Sequence, residues 1–290
     1  MGKVFKALAK AGADIKPAEE TVVAENDLHI EAQPAKNSNV RSRKTRPQPP
    51  VLHYAAGRGW DARLAAALED FPGVAESFRR LRARILHPAD GQPPRSILVT
   101  SASPAEGKSF VCANLGVIMA QGVGQHVLMV DCDLRRPGLA RFFGIESQGS
   151  GLVDHLRMGE DLTSLIHKTG LDRLSLIPAG TPPENPSELL ASQGMSNLLK
   201  EVVSRYDDRF IILDSPPAQA ASETAVLAQH VDKVILVVRW GESGREQVKK
   251  IAEQIGREKI LGVVFNAFEM NILDKRLQGE GYYKYYSEDY

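Results

Sequence analysis

Cysteine is nearly absent from this sequence. Only Cys112 and Cys132 occur among 290 residues, both in apolar stretches. That excludes a disulfide framework and an iron–sulfur centre, and suits small buried hydrophobes in a reducing compartment. No Cys or His cluster has metal-ligand spacing. Net charge is missing as well: 36 basic residues balance 36 acidic ones, so no global field draws the chain to nucleic acid or an anionic membrane. Long apolar runs are lacking too. The longest uninterrupted aliphatic stretch, Val234 to Val238, is far short of the roughly 20 residues that cross a bilayer, and the N-terminus has no secretory apolar core. The expectation is a cytoplasmic protein. What is present, 43% apolar and 25% charged residues, describes a soluble globular chain able to bury a sizeable core.

Three regions follow from the pattern. Residues 1–70 open with an amphipathic helical stripe (Val4, Phe5, Leu8, Ala9) and continue into a polar stretch. Between Pro34 and Pro50 lie four prolines and five basic residues with no acid, which reads as a disordered linker. Residues 71–271 carry recurring apolar runs at Ile97–Val99, Val127–Val130, Leu174–Ile177, Phe210–Leu213, Val234–Val238 and Ile260–Phe265, separated by helix-length segments such as 107–121 and 186–204. Buried strands without polar alternation, spaced by helices, predict an α/β, doubly wound and mostly parallel sheet with helices on both faces. Its ligand belongs at the carboxyl ends of the strands. Residues 272–290 are too polar and aromatic to continue the sheet and read as a flexible tail.

The strand at 96–100 runs into Ser103-Pro104-Ala105-Glu106-Gly107-Lys108-Ser109-Phe110 and then an apolar helix. This is the setting of a phosphate-binding loop, the mark of a P-loop NTPase fold. Backbone N–H groups at a helix start cradle anionic oxygens, Lys108 reaches the terminal phosphates, and the Ser109 hydroxyl ligates Mg²⁺. The strict motif has glycine where Ala102 stands. The next strand ends in Asp131-Cys132-Asp133-Leu134-Arg135, and a later one in Asp214-Ser215-Pro216-Pro217. Carboxylates at strand ends beside such a loop can serve a metal ion and a nucleophile's proton.

Three further features narrow the function. Five of the seven tyrosines (Tyr282, Tyr283, Tyr285, Tyr286, Tyr290) fall in the last nine residues among acidic neighbours. Packing does not account for them; phosphoryl acceptance does, and docking on a partner is the alternative. Glu76, Arg79 and Arg82 are spaced by three along one predicted helix, a pattern that fits either a subunit contact or a solvated face. Finally, no lysine occupies the start of the phosphate loop, where dimer-switching partition ATPases need one.

Together these motifs resemble the bacterial tyrosine kinases of exopolysaccharide and capsule assembly. They occur in that family's order from about Gly73 to the C-terminus, including the segment Asn185-Pro186-Ser187-Glu188-Leu189-Leu190. The resemblance implies an ATP- and Mg²⁺-dependent protein-tyrosine autokinase. In it one subunit's tail enters the next subunit's site within a ring, with Glu76, Arg79 and Arg82 at the ring contact. It further implies Lys108 stabilising the transferring phosphoryl group, and Ser109 with Asp133 and Asp214 holding the metal directly or through water. Asp131 receives the tyrosine proton, the two neighbouring aspartates being interchangeable in these roles. Asn266 is either an adenine contact or a turn residue. The form resembled is the stand-alone one, also met in exosortase-linked loci. A membrane chain-length regulator or adaptor recruits it to the inner face of the cell membrane, and a cognate tyrosine phosphatase accompanies it. Ala105 replaces a common glycine, and Phe110 a common threonine. The competing functions are an ATP-binding assembly switch and a regulatory scaffold that docks through its tail.

Overall fold

The computed structural model describes residues 59–64, 72–88, 91–122, 124–145, 149–205, 209–219 and 222–267. The amphipathic opening, the basic linker and the tyrosine tail lie outside them. Among the described residues the apolar runs form β1 (Ser96–Ser101), β2 (His126–Asp131), β4 (Leu174–Ile177), β5 (Arg209–Asp214), β6 (Lys233–Arg239) and β7 (Ile260–Asn266), with a two-residue β3 (His167–Lys168). They make one sheet in the order β3-β4-β2-β5-β1-β6-β7. Every neighbouring pair is parallel except β3 with β4. The sequence reading missed β3, because two exposed residues carry no periodicity.

Alternate residues on each strand feed two cores. Ile97 and Val99 of β1, Ile212 of β5 and Ile235 of β6 face one cluster, which α1 (Pro72–Leu86) and α2 (Lys108–Ala120) cover. Leu98, Ile211, Leu213 and Val234 face the other, beneath α3 (Leu152–Met158), α5 (Gln193–Arg205) and α6 (Glu223–Gln229). The outer helix α7 (Arg245–Ile255) closes over Leu236 and Val238 of β6. Both cysteines are free and buried, as the sequence implies.

The expected helix over 186–204 is broken into α4 (Pro186–Leu190) and α5. Ser192 makes the break: its hydroxyl donates to the Leu189 carbonyl (2.7 Å) and accepts from the Met195 N–H (3.2 Å), closing one helix while opening the next. A second difference concerns the helix triplet on α1. Glu76 pairs with Arg79 and with Arg80, each at 3.4 Å, on the exposed side. Arg82 does not share that face. Its Nη1 donates to the Ile118 carbonyl at 3.0 Å, near the C-terminal end of α2. There Arg173 similarly holds the Gly122 carbonyl at 2.6 Å. Arg82 thus satisfies a carbonyl that the end of the helix leaves without a partner, and Arg173 holds one in the turn just beyond it.

Arg82→Ala is therefore expected to lower stability by about 0.5–1.5 kcal/mol, the worth of one intramolecular hydrogen bond, whereas Arg79→Ala should leave it nearly unchanged. Urea unfolding of the two variants checks this; equal effects would return Arg82 to the exposed face.

Candidate active site

β1 is flanked by β5 and β6, and the chain winds from it to opposite sides of the sheet. A crevice is expected where winding changes direction, at the carboxyl ends of these strands. The phosphate loop lies there. Gly107, at φ 87, turns the chain left-handed into α2 and offers no side-chain cap to the first helical N–H groups, which stay available to an anion. A Cβ at Gly107 would lie 2.0 Å from the Asn266 amide nitrogen, so a side chain there would also displace Asn266. Ala105 also has a positive φ, 63. The glycine common at this position thus has a backbone reason, and alanine adopts the conformation at a cost.

In-register pairing of β2 with β5 sets Asp131 opposite Asp214. Lys108 from the first turn of α2 pairs with Asp133, Nζ to Oδ2 2.7 Å, and its Nζ lies 3.5 Å from the Ser109 Oγ. Asp131 and Asp214 are completely buried and Asp133 is 3% exposed. Burial works against the charge on Lys108, yet Asp214, Asp133 and Asp131 together hold its pKa above the ordinary value. Burial, reinforced by the facing Asp214, raises the pKa of Asp131. Burial also raises that of Asp214, although Lys108 and the Ser109 hydroxyl oppose it.

The carboxylates differ in what occupies them. Asp131 accepts N–H groups from Asp133 (3.1 Å), Gly138 (3.2 Å) and Leu139 (3.0 Å). Both its oxygens fix the turn after β2, and it does not line the cleft. Asp131 is thus held by the turn after β2, and of the two aspartates that the sequence leaves interchangeable, Asp133 is the one that lines the cleft. Neither oxygen of Asp214 accepts a well-formed hydrogen bond. One ammonium facing three buried carboxylates, one of them with both oxygens unsatisfied, leaves a local deficit of positive charge. An all-oxygen donor set with that deficit fits a hard divalent cation such as Mg²⁺, which takes one or two carboxylates and fills its remaining positions from water and phosphate.

The cleft above this cluster encloses about 360 Å³. Pro104 and Lys108 line it from the loop, Asp133, Arg135 and Arg136 from the turn after β2, and Pro216 and Pro217 from the turn after β5. That last turn is pinned by Thr100, Ser215 and Thr224, whose hydroxyls all donate to the Pro216 carbonyl at 2.9–3.2 Å. Arg135 is clamped as well: Nε donates to buried Glu223 (2.9 Å) and Nη2 to the Ser187 hydroxyl (2.7 Å), which itself donates to Glu223 (3.1 Å). Ser187 belongs to the 185–190 segment singled out in the sequence, but Glu223 carries no local signal there. Four residues expected at the nucleotide, three from the loop and Asn266 from β7, are engaged by the protein itself. Glu106 points its carboxylate into the protein and is fully buried. Phe110 packs between Phe78, edge to face, and Phe142, tilted, at centroid distances of 6.5 and 6.2 Å. Asn266 donates from its amide to the Glu106 carbonyl at 2.8 Å. Ser103 is bridged to Gln247 at 3.0 Å.

The sequence matches the CobQ/CobB/MinD/ParA nucleotide binding domain over residues 97–280. It is 33% identical over 210 residues, 72% of this chain, to the putative tyrosine-protein kinase EpsB of Ralstonia nicotianae, spanning only 27% of that protein's length. It is 32% identical over 214 residues to the tyrosine-protein kinase YwqD of Bacillus subtilis, covering 73% of this chain and 86% of YwqD. The kinase domain of the Escherichia coli tyrosine kinase ETK superposes with a TM-score of 0.65 at 27% identity, over 80% of this chain and 88% of that domain.

Two outcomes follow from the site. Ala105→Gly should stabilise the fold by about 0.5–1 kcal/mol, the relief of a left-handed alanine less the added freedom of the unfolded chain; a lower midpoint in urea would contradict the strain at φ 63. Asp214 holds its proton more tightly folded than unfolded, so its contribution to stability is lost as pH rises from the ordinary carboxylate range towards neutrality. In chelator and without nucleotide, Asp214→Asn should then be more stable than the parent at pH 8, by about 1–3 kcal/mol. The two should converge near pH 4. Thermal melts at the two pH values check this.

Proposed function

The chain belongs to the bacterial tyrosine kinases built on the CobQ/CobB/MinD/ParA nucleotide binding domain, and from that premise we propose that it is an ATP- and Mg²⁺-dependent protein-tyrosine autokinase whose acceptors are Tyr282, Tyr283, Tyr285, Tyr286 and Tyr290. The observation that carries this reading is the grouping of Lys108, Asp133 and Asp214 at the mouth of an uncapped helix start, with both Asp214 oxygens unsatisfied. Phosphoryl transfer needs positioning and charge neutralisation more than covalent chemistry, and this site supplies both.

In this reading the N–H groups at the start of α2 hold the terminal phosphates, and Lys108 follows the charge that develops on the transferring group. Ser109, Asp133 and Asp214 would hold Mg²⁺, which would neutralise phosphate charge when bound. A tail tyrosine presents its hydroxyl to the cleft between the Pro104 side and the Pro216-Pro217 turn. Its oxygen forms a bond to the γ-phosphorus, the bond from that phosphorus to the bridging oxygen breaks, ADP leaves, and the phenolic proton passes to Asp133. Asp133 suits that role because it lines the cleft, where Asp131 does not. Arg135, immobilised by Glu223 and Ser187, keeps the turn after β2 in place for this exchange.

The setting proposed is exopolysaccharide or capsule assembly. Two partners belong to it: a second copy of the chain, which receives or offers the tail, and a membrane regulator that recruits the enzyme to the membrane. Among the described residues no helix is long and apolar enough to cross a membrane.

Incubating the full chain with Mg·ATP, then measuring intact mass and mapping the last nine residues, tests the proposal. Phosphate on several tail tyrosines is expected in the parent and none in Lys108→Met. ATP hydrolysis with an unmodified tail would favour the assembly switch instead.

A further inference from the structure

The side chain of Glu106 sits inside the phosphate loop's own sequence but plays no direct part in the site described above. Its carboxylate is fully buried and faces away from the cleft. Three neutral donors converge on it: the Ser103 N–H at 2.7 Å, the Arg239 N–H at 3.3 Å and the Ser243 hydroxyl at 2.5 Å. No cation pairs with it among the described residues. Its carbonyl accepts from the Asn266 amide at 2.8 Å. Two residues with positive φ, Ala105 and Gly107, bracket it.

We propose that Glu106 is a positioning residue, a latch that fastens the phosphate loop to the turn between β6 and α7 and so sets nucleotide affinity. The argument is geometric. A left-handed alanine persists only where its surroundings over-determine it. Glu106 supplies that determination at three points. Ser103 ties it to the start of the loop, Arg239 and Ser243 tie it to the next element of the sheet, and Asn266 ties its backbone to the end of β7. Leaving a carboxylate buried without a cation is unfavourable, so its persistence here requires all the donors it meets. If the latch opens, the loop loses the constraint that keeps its N–H groups converged, and phosphate binding weakens while the rest of the fold, resting on separate cores, stays intact. The inference rests on the reading of this loop as the nucleotide's phosphate site.

The test measures binding of a fluorescent ATP analogue with Mg²⁺ to the full chain, with thermal unfolding in parallel. Glu106→Ala should weaken binding about 10-fold, the scale of one buried hydrogen-bonded group lost, with cooperative unfolding retained. Ser243→Ala should weaken it about 3-fold, by removal of a single donor. In the double variant Ser243→Ala should add nothing, because it acts through Glu106. Glu106→Gln should weaken binding about 3-fold, because its single oxygen can serve the Ser103 or the Arg239 N–H but not both, and the new amide then faces the other backbone donor. Should Glu106→Ala fail to fold, the Ser243→Ala and Glu106→Gln affinities still decide. Additive losses, or Glu106→Ala within 2-fold of the parent, overturn the latch and leave the kinase reading standing. A parent chain that binds no nucleotide removes that reading and the latch with it.

Discussion

The site is organised around a shortage of positive charge. Lys108 is one ammonium set against Asp131, Asp133 and Asp214, all within the protein's interior. Taking a carboxylate out of water is costly unless charge or hydrogen bonds compensate it, and the three are compensated unequally. Asp131 is satisfied by backbone N–H groups, Asp133 by Lys108 and the Arg136 N–H, and Asp214 by proximity to Lys108 and Ser109 without a formed bond. The same inequality separates their surroundings: one aspartate shapes a turn, one faces the cleft, and one has neither oxygen hydrogen-bonded.

Sheet topology makes this concentration of charge affordable at all. Placing β5 between β1 and β2 brings the carboxyl ends of three consecutive parallel strands together, so residues distant in sequence arrive at the same level. Helix α2 begins there without a side-chain cap, and its other end is held by Arg82 and Arg173. Positive partial charge at one end of the helix is thus directed at the site, while a carbonyl at the far end and one in the turn just beyond it are satisfied by guanidinium groups. Fixing the helix at its C-terminus and the adjoining turn at the Pro216 carbonyl leaves few soft points around the cleft.

Much of this was legible in the sequence because it depends on local pattern. Apolar runs ending in aspartate declare a strand and its carboxyl end together, and a Gly-Lys-Ser at a helix start declares an anion site. Six of the strands and the position of the loop follow from such signals. What escaped depends on side-chain direction or on partners far along the chain. Spacing by three put Arg82 beside Glu76 and Arg79, but the long side chain reaches inward to a carbonyl 36 residues away. Asp131 and Asp133 are alike by sequence, and only the turn through Gly138 and Leu139 distinguishes them. Glu223 and Ser187 meet at Arg135 across separate helices, which no short motif could encode.

The loop itself illustrates why a motif is a weaker statement than a conformation. Ala102, where the strict pattern has glycine, is completely buried against the core formed by Leu236, Val238 and Ile251. It needs no left-handed backbone, so alanine costs nothing evident there. Ala105 does need one. Departures from a consensus are therefore not equivalent: one is absorbed by packing, whereas the other holds strain that the surrounding hydrogen bonds must offset. A site judged by how many consensus glycines it retains would rank both changes alike, and the φ angles separate them.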